Sequence, residues 1–266
     1  MTKTAIYVII KQMCFIRKGF IILKALILVA GYATRLYPLT LNTPKPLLEI
    51  GGKPIINYIV EQINTVEAVD EIYVVSNHKF AAQFETWAAQ LNNPVPICVL
   101  DDGTSTEETR RGAIGDIQFT IDEKGIDDDL MIIAGDTLFT FALKEYFEYF
   151  KAKQDDCVVV REFNDPERLK QFGVVLLDEN DVVINFEEKP AQPKSNLVAF
   201  AAYIYRRDTV PMIKTYLDEG NKPDAPGNFL AWLYTRKTVY AYVMDGECYD
   251  IGTHKSLEEV NKIFSK

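Results

Sequence analysis

The sequence contains little cysteine, little histidine and no excess of basic residues. Four cysteines and two histidines occur among 266 residues, and the cysteines are scattered without a Cys-x-x-Cys pair or metal-ligand spacing. This usage favours reduced thiols in a cytoplasmic protein. Asp and Glu outnumber Lys and Arg by 38 to 29, for a formal net charge of -9. Such an acidic balance argues against nucleic acid or an anionic membrane as a partner bound through net charge alone.

The sequence also lacks a membrane span and a cleavable signal. No apolar run approaches the roughly 18–20 residues of a spanning helix. Residues 5–10 and 20–23 are apolar, but Lys11, Arg17 and Lys18 interrupt them, and no small-residue cleavage site follows. We expect residues 1–22 to form an extension outside the core, followed by a single domain of residues 23–266. The alternative for the extension is a short amphipathic helix on a membrane surface.

A regular alternation of strand and helix patterns begins at Lys24. Short apolar runs that end in turn residues are typical of strands buried on both faces, and apolar stripes at helical spacing separate them. This order predicts an α/β fold, a mostly parallel twisted sheet with helices on both faces. At about residues 165–205 helix becomes scarce, which predicts a small β-rich lobe. The predicted strands are residues 25–29, 71–76, 95–100, 130–134, 157–161, 174–177, 182–187, 198–205 and 238–244. The predicted helices are residues 54–63, 80–91, 111–121, 143–153, 209–217, 229–234 and 256–264.

The segment after the first strand has the composition of a phosphate-binding turn. In an open parallel sheet, ligands bind at the carboxyl ends of the strands. Here a turn of small residues around Gly31 leads to Arg35, and Lys45 follows between two prolines. Such a turn lets backbone N–H groups approach phosphate oxygens, and the two basic side chains add positive charge. The short motif alone leaves open that Gly31 is only a turn residue and that both charges are merely solvated.

Ordered motifs over residues 23–264 resemble those of the sugar-1-phosphate nucleotidylyltransferases. The opening of that family reads Ala-Ala-Gly-x-Gly-Thr-Arg, then Pro-Lys-Pro-Leu and Gly-Lys-Pro, and residues 24–60 are similar to it. Ala33 replaces the second glycine, and no glutamine stands shortly before Gly112, where pyrimidine-specific members commonly read the base. The later matching segments are Gly112-Ala113-Ile114-Gly115, Gly135-Asp136, Phe172-Gly173-Val174-Val175, Phe186-Glu187-Glu188-Lys189-Pro190, Ser195-Asn196-Leu197 and Tyr249-Asp250-Ile251-Gly252-Thr253.

The resemblance implies a Rossmann-like nucleotide-diphospho-sugar transferase fold and a Mg²⁺-dependent transfer. A nucleoside triphosphate and a sugar-1-phosphate would give an NDP-sugar and pyrophosphate. The layout is most similar to the thymidylyl- and uridylyltransferases, which favours dTTP or UTP with glucose-1-phosphate, while the missing glutamine keeps CTP and GTP open. The implied site residues are Arg35 and Lys45 for catalysis, Ala30, Gly31, Thr34 and Gly112 for the nucleotide, Gly173, Glu188 and Lys189 for the sugar phosphate, and Asp136 and Asp250 for the metal.

Three other interpretations compete with this one. A nucleotide-sugar-dependent glycosyltransferase usually carries Asp-x-Asp at its metal site, whereas Thr137-Leu138 follows Asp136 here. A silent regulatory subunit tends to lose the metal acids and the loop arginine, and this chain has them. A cytidylyltransferase acting on a non-sugar phosphate such as phosphocholine stays open, and so does a homo-oligomeric state.

The ends of the chain give two further expectations. Family members commonly begin Met-Lys-Ala just before the first strand, and Leu23-Lys24-Ala25 stands there, so residues 1–22 are expected to be dispensable. Because the chain ends at Lys266, no acyltransferase β-helix is expected after the transferase domain.

Overall fold

A computed structural model describes residues 21–265, and the expectation for the extension falls almost entirely outside them. Every strand and helix predicted above has a counterpart, with ends that differ by a few residues. The strands are β1 Leu23–Leu28, β2 Glu49–Ile50, β3 Lys53–Pro54, β4 Val69–Ser76, β5 Ile97–Asp101, β6 Asp129–Ala134, β7 Thr137–Phe139, β8 Asp156–Glu162, β9 Gly173–Leu177, β10 Val183–Glu188, β11 Leu197–Tyr205, β12 Val239–Val243 and β13 Cys248–Asp250. The helices are α1 Ile55–Ile63, α2 Ala81–Gln90, α3 Ala113–Lys124, α4 Leu143–Lys153, α5 Pro166–Leu169, α6 Met212–Asp218, α7 Pro226–Leu233 and α8 His254–Phe264.

Nine strands form one mixed and mostly parallel sheet. Strands β5, β4, β1 and β6 are neighbours in that order and all parallel. Strand β11 then pairs antiparallel with β6, β8 and β9, and β12 pairs parallel with β8. Strand β10 pairs antiparallel with β9 at the edge, so the β-rich part predicted near residues 165–205 extends the same sheet. The sheet predicted from the strand–helix alternation is confirmed.

Helices cover both faces because the central strands are apolar in both directions. In β1, the buried side chains of Ala25 and Ile27 point into one core cluster and that of Leu26 points into the other. The first cluster also contains Ile59 of α1, and the second contains Ile117 of α3. Burial of each leucine or isoleucine side chain contributes about 1.5–3 kcal/mol to the free energy of folding. Between residues 21 and 265, no helix is long and apolar enough to cross a membrane.

The hydrophobic periodicity of the sequence did not predict the shortest strands. Two of them pair with each other and help to position the candidate site. Strands β7 and β13 have three residues each and pair antiparallel with each other, outside the main sheet, with Asp250 opposite Thr137. Asp250 lies beyond the strand predicted at residues 238–244. Strand β12 ends at Val243, and the chain then forms the short strand β13, which ends at Asp250. The antiparallel pairing of β13 with β7 places Asp250 beside the turn that carries Asp136.

Candidate active site

The turn after β1 is held open by hydrogen bonds from its flanks. The amide of the buried Asn77 donates to the Ala30 carbonyl at 2.8 Å, and the hydroxyl of Thr40 donates to the Ala33 carbonyl at 2.8 Å. A Cβ added at Gly31 would meet no atom within 4 Å, so the backbone faces open space there. A short 3₁₀ turn, Thr34–Leu36, then presents an exposed Arg35. This turn therefore offers accessible backbone beside a positive charge.

Ala33 adopts the left-handed conformation, with φ 48° and ψ 44°. Replacing it by glycine should change the free energy of unfolding by less than about 1 kcal/mol, because relief of about 1–2 kcal/mol of backbone strain is offset by a freer unfolded chain. Ala33→Val should lower that free energy by about 1–3 kcal/mol, since a β-branched residue tolerates positive φ poorly. Urea unfolding of both variants measures this difference. A valine variant as stable as the wild type would contradict the left-handed turn.

One cleft of about 510 Å³ gathers most of the site residues named from the sequence. It lies at the carboxyl ends of β1 and β6, where the parallel strands end and the phosphate turn begins. Asp250 does not line it, but its neighbours Ile251 and Gly252 do. The named residues that line the cleft are Ala30, Gly31, Thr34, Arg35, Lys45, Gly112 and Asp136.

The two acids named for the metal converge on Lys45. The Lys45 side chain is only 5% exposed, and its Nζ lies 3.0 Å from Asp136 Oδ2 and 3.9 Å from Asp250 Oδ1. Both carboxylates are about half exposed, at 51% and 52%, so they face the cleft and its solvent. Two carboxylates with room for water and phosphate oxygens match the ligand preferences of Mg²⁺. The donor set therefore fits that ion.

Glycines make this convergence possible. A Cβ at Gly135 would fall 2.4 Å from Val29 Cγ1, and the Gly135 N–H donates to the Leu28 carbonyl at 2.9 Å. The turn into Asp136 thus packs directly against the end of β1. A Cβ at Gly252 would lie 3.3 Å from Asp250 Oδ2 and 3.4 Å from both terminal nitrogens of Arg35. Arg35 therefore lies near Asp250. The two carboxylates, Asp136 and Asp250, are accompanied by two cations, Lys45 and Arg35.

The sugar-side residues lie together on the adjoining β-rich part, outside the cleft lining. Gly173 and Glu188 are register partners on β9 and β10. A Cβ at Gly173 or at Gly227 would meet the Phe186 ring at 2.4 or 2.8 Å and the Glu188 carboxylate at 3.1 or 3.0 Å. Burial raises the pKa of the Glu188 carboxyl, against the charge of Lys189. This group borders the cleft through Pro226, which lines it next to Gly227.

Sequence reasoning missed a buried polar cluster beside the cleft, two of whose residues, Tyr32 and Asp116, line it. It consists of Tyr32, Asp102, Thr104 and Asp116, each less than 10% exposed. Burial, followed by the nearby charge and hydrogen bond of Asp102, raises the pKa of Asp116 to about 8. Asp116 follows Gly112 by one helical turn and lies among the apolar side chains of α3, which was the available signal. Gly112 itself requires glycine, with φ 79° and an added Cβ 2.7 Å from the Pro223 carbonyl oxygen.

Comparison with protein families gives one match that covers nearly all of the described chain. A family model described as "Nucleotidyl transferase" matches residues 24–266. The chain is 32% identical over 239 residues to the bifunctional protein GlmU of Methanocaldococcus jannaschii, covering 90% of this chain and 53% of that protein. It is 30% identical over 242 residues to a putative mannose-1-phosphate guanyltransferase of Sulfolobus acidocaldarius, covering 89% and 62%. A glucose-1-phosphate adenylyltransferase of Geobacillus stearothermophilus is 29% identical over 255 residues, with 89% and 64% covered. The chain thus spans between half and two thirds of the length of these relatives.

The fold is shared with solved structures of sugar-nucleotide enzymes. A putative glucose-1-phosphate thymidylyltransferase from Bacillus anthracis superposes with a TM-score of 0.74 at 24% identity, over 92% of this chain and 96% of that one. A UDP-glucose pyrophosphorylase complexed with UDP-glucose gives a TM-score of 0.76 at 22% identity, over 92% and 98%. At these identities the likeness establishes the fold alone.

Proposed function

The chain belongs to the nucleotidyl transferase family, and from that premise we propose that it transfers a nucleotidyl group from a nucleoside triphosphate to a sugar-1-phosphate. The single observation that carries the proposal is the convergence of Lys45, Asp136 and Asp250 beside the open turn after β1. Names among the relatives cover adenylyl and guanylyl transfer to sugar phosphates, which supports the reaction class without choosing a base. Membership of this family also argues against the glycosyltransferase alternative.

The reaction needs positioning and charge neutralisation more than proton transfer. An oxygen of the sugar-1-phosphate attacks the α-phosphorus of the triphosphate, a new P–O bond forms, and the bond to the β-phosphate oxygen breaks to release pyrophosphate. The nucleophile is already an anion at pH 7, so a general base is not required. The main barrier is the repulsion between two polyanions, which fixed cations and aligned donors reduce.

The residues of the cleft have roles that follow from their charge and position. Asp136 and Asp250 would hold Mg²⁺, which when bound neutralises phosphate charge as the bond to pyrophosphate breaks. Lys45, already inside the cleft, would donate to an α-phosphate oxygen. Arg35 is exposed at the mouth and offers a planar fork of donors to the β- and γ-phosphates. Backbone N–H groups of the turn around Gly31 would approach the phosphates between them.

The sugar phosphate would bind on the adjoining β-rich part. Lys189 is 65% exposed, with its Nζ 4.0 Å from Glu188 Oε1, so its charge is free to meet a phosphate. Glu188 would accept hydrogen bonds from sugar hydroxyls, and the backbone of Gly173 would contact the ring. We infer a cytoplasmic location from the free cysteines Cys98, Cys157 and Cys248 of the described residues together with a triphosphate substrate.

For the base and sugar we propose dTTP or UTP with glucose-1-phosphate. A pyrophosphate-release screen of dTTP, UTP, CTP, GTP and ATP against several sugar-1-phosphates and phosphocholine tests this choice, with Asp136→Ala as the blank. We expect the highest kcat/KM for dTTP or UTP with glucose-1-phosphate. A higher kcat/KM for GTP than for both would overturn the choice of base. Absence of pyrophosphate release across the whole panel would contradict the proposed function itself.

A further inference from the structure

A buried cluster beside the cleft has four polar atoms with no hydrogen-bond partner outside the cluster among the described residues. They belong to the cluster of Tyr32, Asp102, Thr104 and Asp116, and the atoms are the Tyr32 hydroxyl, Asp102 Oδ2, Thr104 Oγ1 and Asp116 Oδ1. Buried polar groups are almost always satisfied, so a concentration of unsatisfied ones points to a missing proton or ligand. Tyr32 and Asp116 are 7% and 5% exposed, and both line the cleft.

The charge of the cluster makes its part of the cleft unsuited to phosphate. Arg35 and Lys45 line the cleft as cations, whereas Asp116 lines it as an acid with the Asp102 carboxyl beside it. Two further acids that line the cleft, Glu107 and Asp224, share one cation, Arg110, at 2.9 and 3.1 Å. One cation between two acids leaves no spare positive charge there for a phosphate. An uncharged part of the nucleotide, the base, is the part that fits here.

The two buried acids are arranged to share one proton. Asp102 and Asp116 are within hydrogen-bonding reach of each other, and two adjacent buried carboxylates repel strongly. The Thr104 backbone N–H donates to Asp102 Oδ1 at 2.6 Å, so the other Asp102 oxygen is the one left to face Asp116. The charge of Arg111 opposes protonation of Asp116, and the Arg111 Nε–H donates to the Asp102 backbone carbonyl at 2.8 Å. Because burial and Asp102 still raise the pKa of Asp116 to about 8, Asp116 holds the shared proton near neutral pH.

A neutral Asp116 carboxyl has one oxygen left for a ligand. We propose that Asp116 recognises the nucleobase. One of its oxygens shares the proton with Asp102, and the other accepts a hydrogen bond from the N3–H of a uracil or thymine ring. This assignment rests on the proposed function. An ionised carboxylate would be a worse neighbour for these rings, because carbonyl oxygens flank the N3–H on both sides and would be repelled.

Asparagine reproduces the proposed state at this position. Its amide N–H can donate to Asp102 while its carbonyl accepts from the base, whereas alanine can do neither. In titration calorimetry with Mg²⁺ at pH 7, we expect Asp116→Ala to weaken UTP binding about 10-fold or more and Asp116→Asn to stay within about 3-fold of wild type. Inorganic tripolyphosphate, which has no base, should bind all three proteins within about 2-fold. Asp122→Ala, an exposed acid of the same helix, is the matched control.

A modified nucleotide tests the contacted atom directly. N3-methyl-UTP lacks the N3–H, so the wild type should bind it at least about 10-fold more weakly than it binds UTP. Asp116→Ala should bind N3-methyl-UTP about as tightly as it binds UTP. If wild type turns over UTP yet Asp116→Ala binds UTP with unchanged affinity, this inference is wrong and the proposed function stands. If UTP binds wild type no better than tripolyphosphate and is not turned over, the proposed pyrimidine substrate fails instead.

The stability of the free protein gives a readout independent of nucleotide. Because the pKa of Asp116 is raised from its ordinary value of 3.8 to about 8, the folded state binds more protons than the unfolded state between these values. The stabilising contribution of that proton is full below about pH 4 and is lost progressively as the pH rises through about 8. Asp116→Asn does not titrate, so its Tm relative to wild type should rise from pH 5 to pH 9. A constant difference in Tm across that range would overturn the shared proton.

Discussion

Asp136→Ala and Asp250→Ala are each expected to lower kcat about 100-fold or more, as loss of a key electrostatic contact in a transition state usually does. The fold should survive, because both carboxylates are about half exposed and contact Lys45 rather than the apolar core. Pyrophosphate release at saturating substrates and Tm measured on the same samples separate the two effects. Asp245→Ala, an exposed acid on the connection between β12 and β13, is the matched control.

The metal dependence sharpens this expectation. Each aspartate variant should need a higher Mg²⁺ concentration for half-maximal rate, because one of two carboxylate ligands is gone. If Asp250→Ala keeps wild-type turnover at limiting Mg²⁺, the site with two aspartates is wrong, and the pairing of β13 with β7 has only a structural role.

Lys45→Met is expected to lower kcat/KM about 100- to 1000-fold, since it removes the buried cation proposed to bind the α-phosphate while roughly keeping the side-chain volume. The same change should tighten Mn²⁺ binding to the nucleotide-free protein, because Asp136 and Asp250 lose the cation that now lies between them. Steady-state kinetics and Mn²⁺ titration by electron paramagnetic resonance measure the two effects.

The opposite directions of the two effects distinguish this account from simple damage. A misfolded variant would lose both activity and metal binding. Lys53→Met removes a half-buried cation of strand β3 that is bonded to Glu61 of α1, and it should change neither quantity. Unchanged or weaker Mn²⁺ binding in Lys45→Met would contradict the idea that Lys45 holds the two carboxylates together before substrate arrives.

The sequence predicted the fold well because its central elements repeat a strong pattern. The continuous apolar run of β1 and the stripe of Ile56, Ile59 and Ile63 on α1 each encode burial locally. Strands β7 and β13 have no such signal, since three residues show no period, and their pairing joins positions more than one hundred residues apart. The position of Asp250 therefore required the structure, whereas the strand that leads to Asp136 was already predicted.

The candidate site divides in the same way. Arg35 and Lys45 follow the first strand in recognisable motifs, so their approach to one sheet edge was predictable. The burial of Asp102 against Asp116 was not, because it depends on the loop after β5 packing against the first turn of α3. Nothing in the spacing of these residues indicates that they share a proton.

The most direct test of the account follows the phosphorus atoms through one turnover. Wild-type protein is incubated with Mg²⁺, glucose-1-phosphate and either α-³²P- or γ-³²P-labelled UTP, and the products are separated. Nucleotidyl transfer predicts that the α-label appears in UDP-glucose and the γ-label in pyrophosphate, in equal amounts. Neither product should form when the sugar phosphate is omitted or when Asp136 and Asp250 are both alanine. Label released as free UMP or UDP at a rate independent of the sugar phosphate would contradict nucleotidyl transfer.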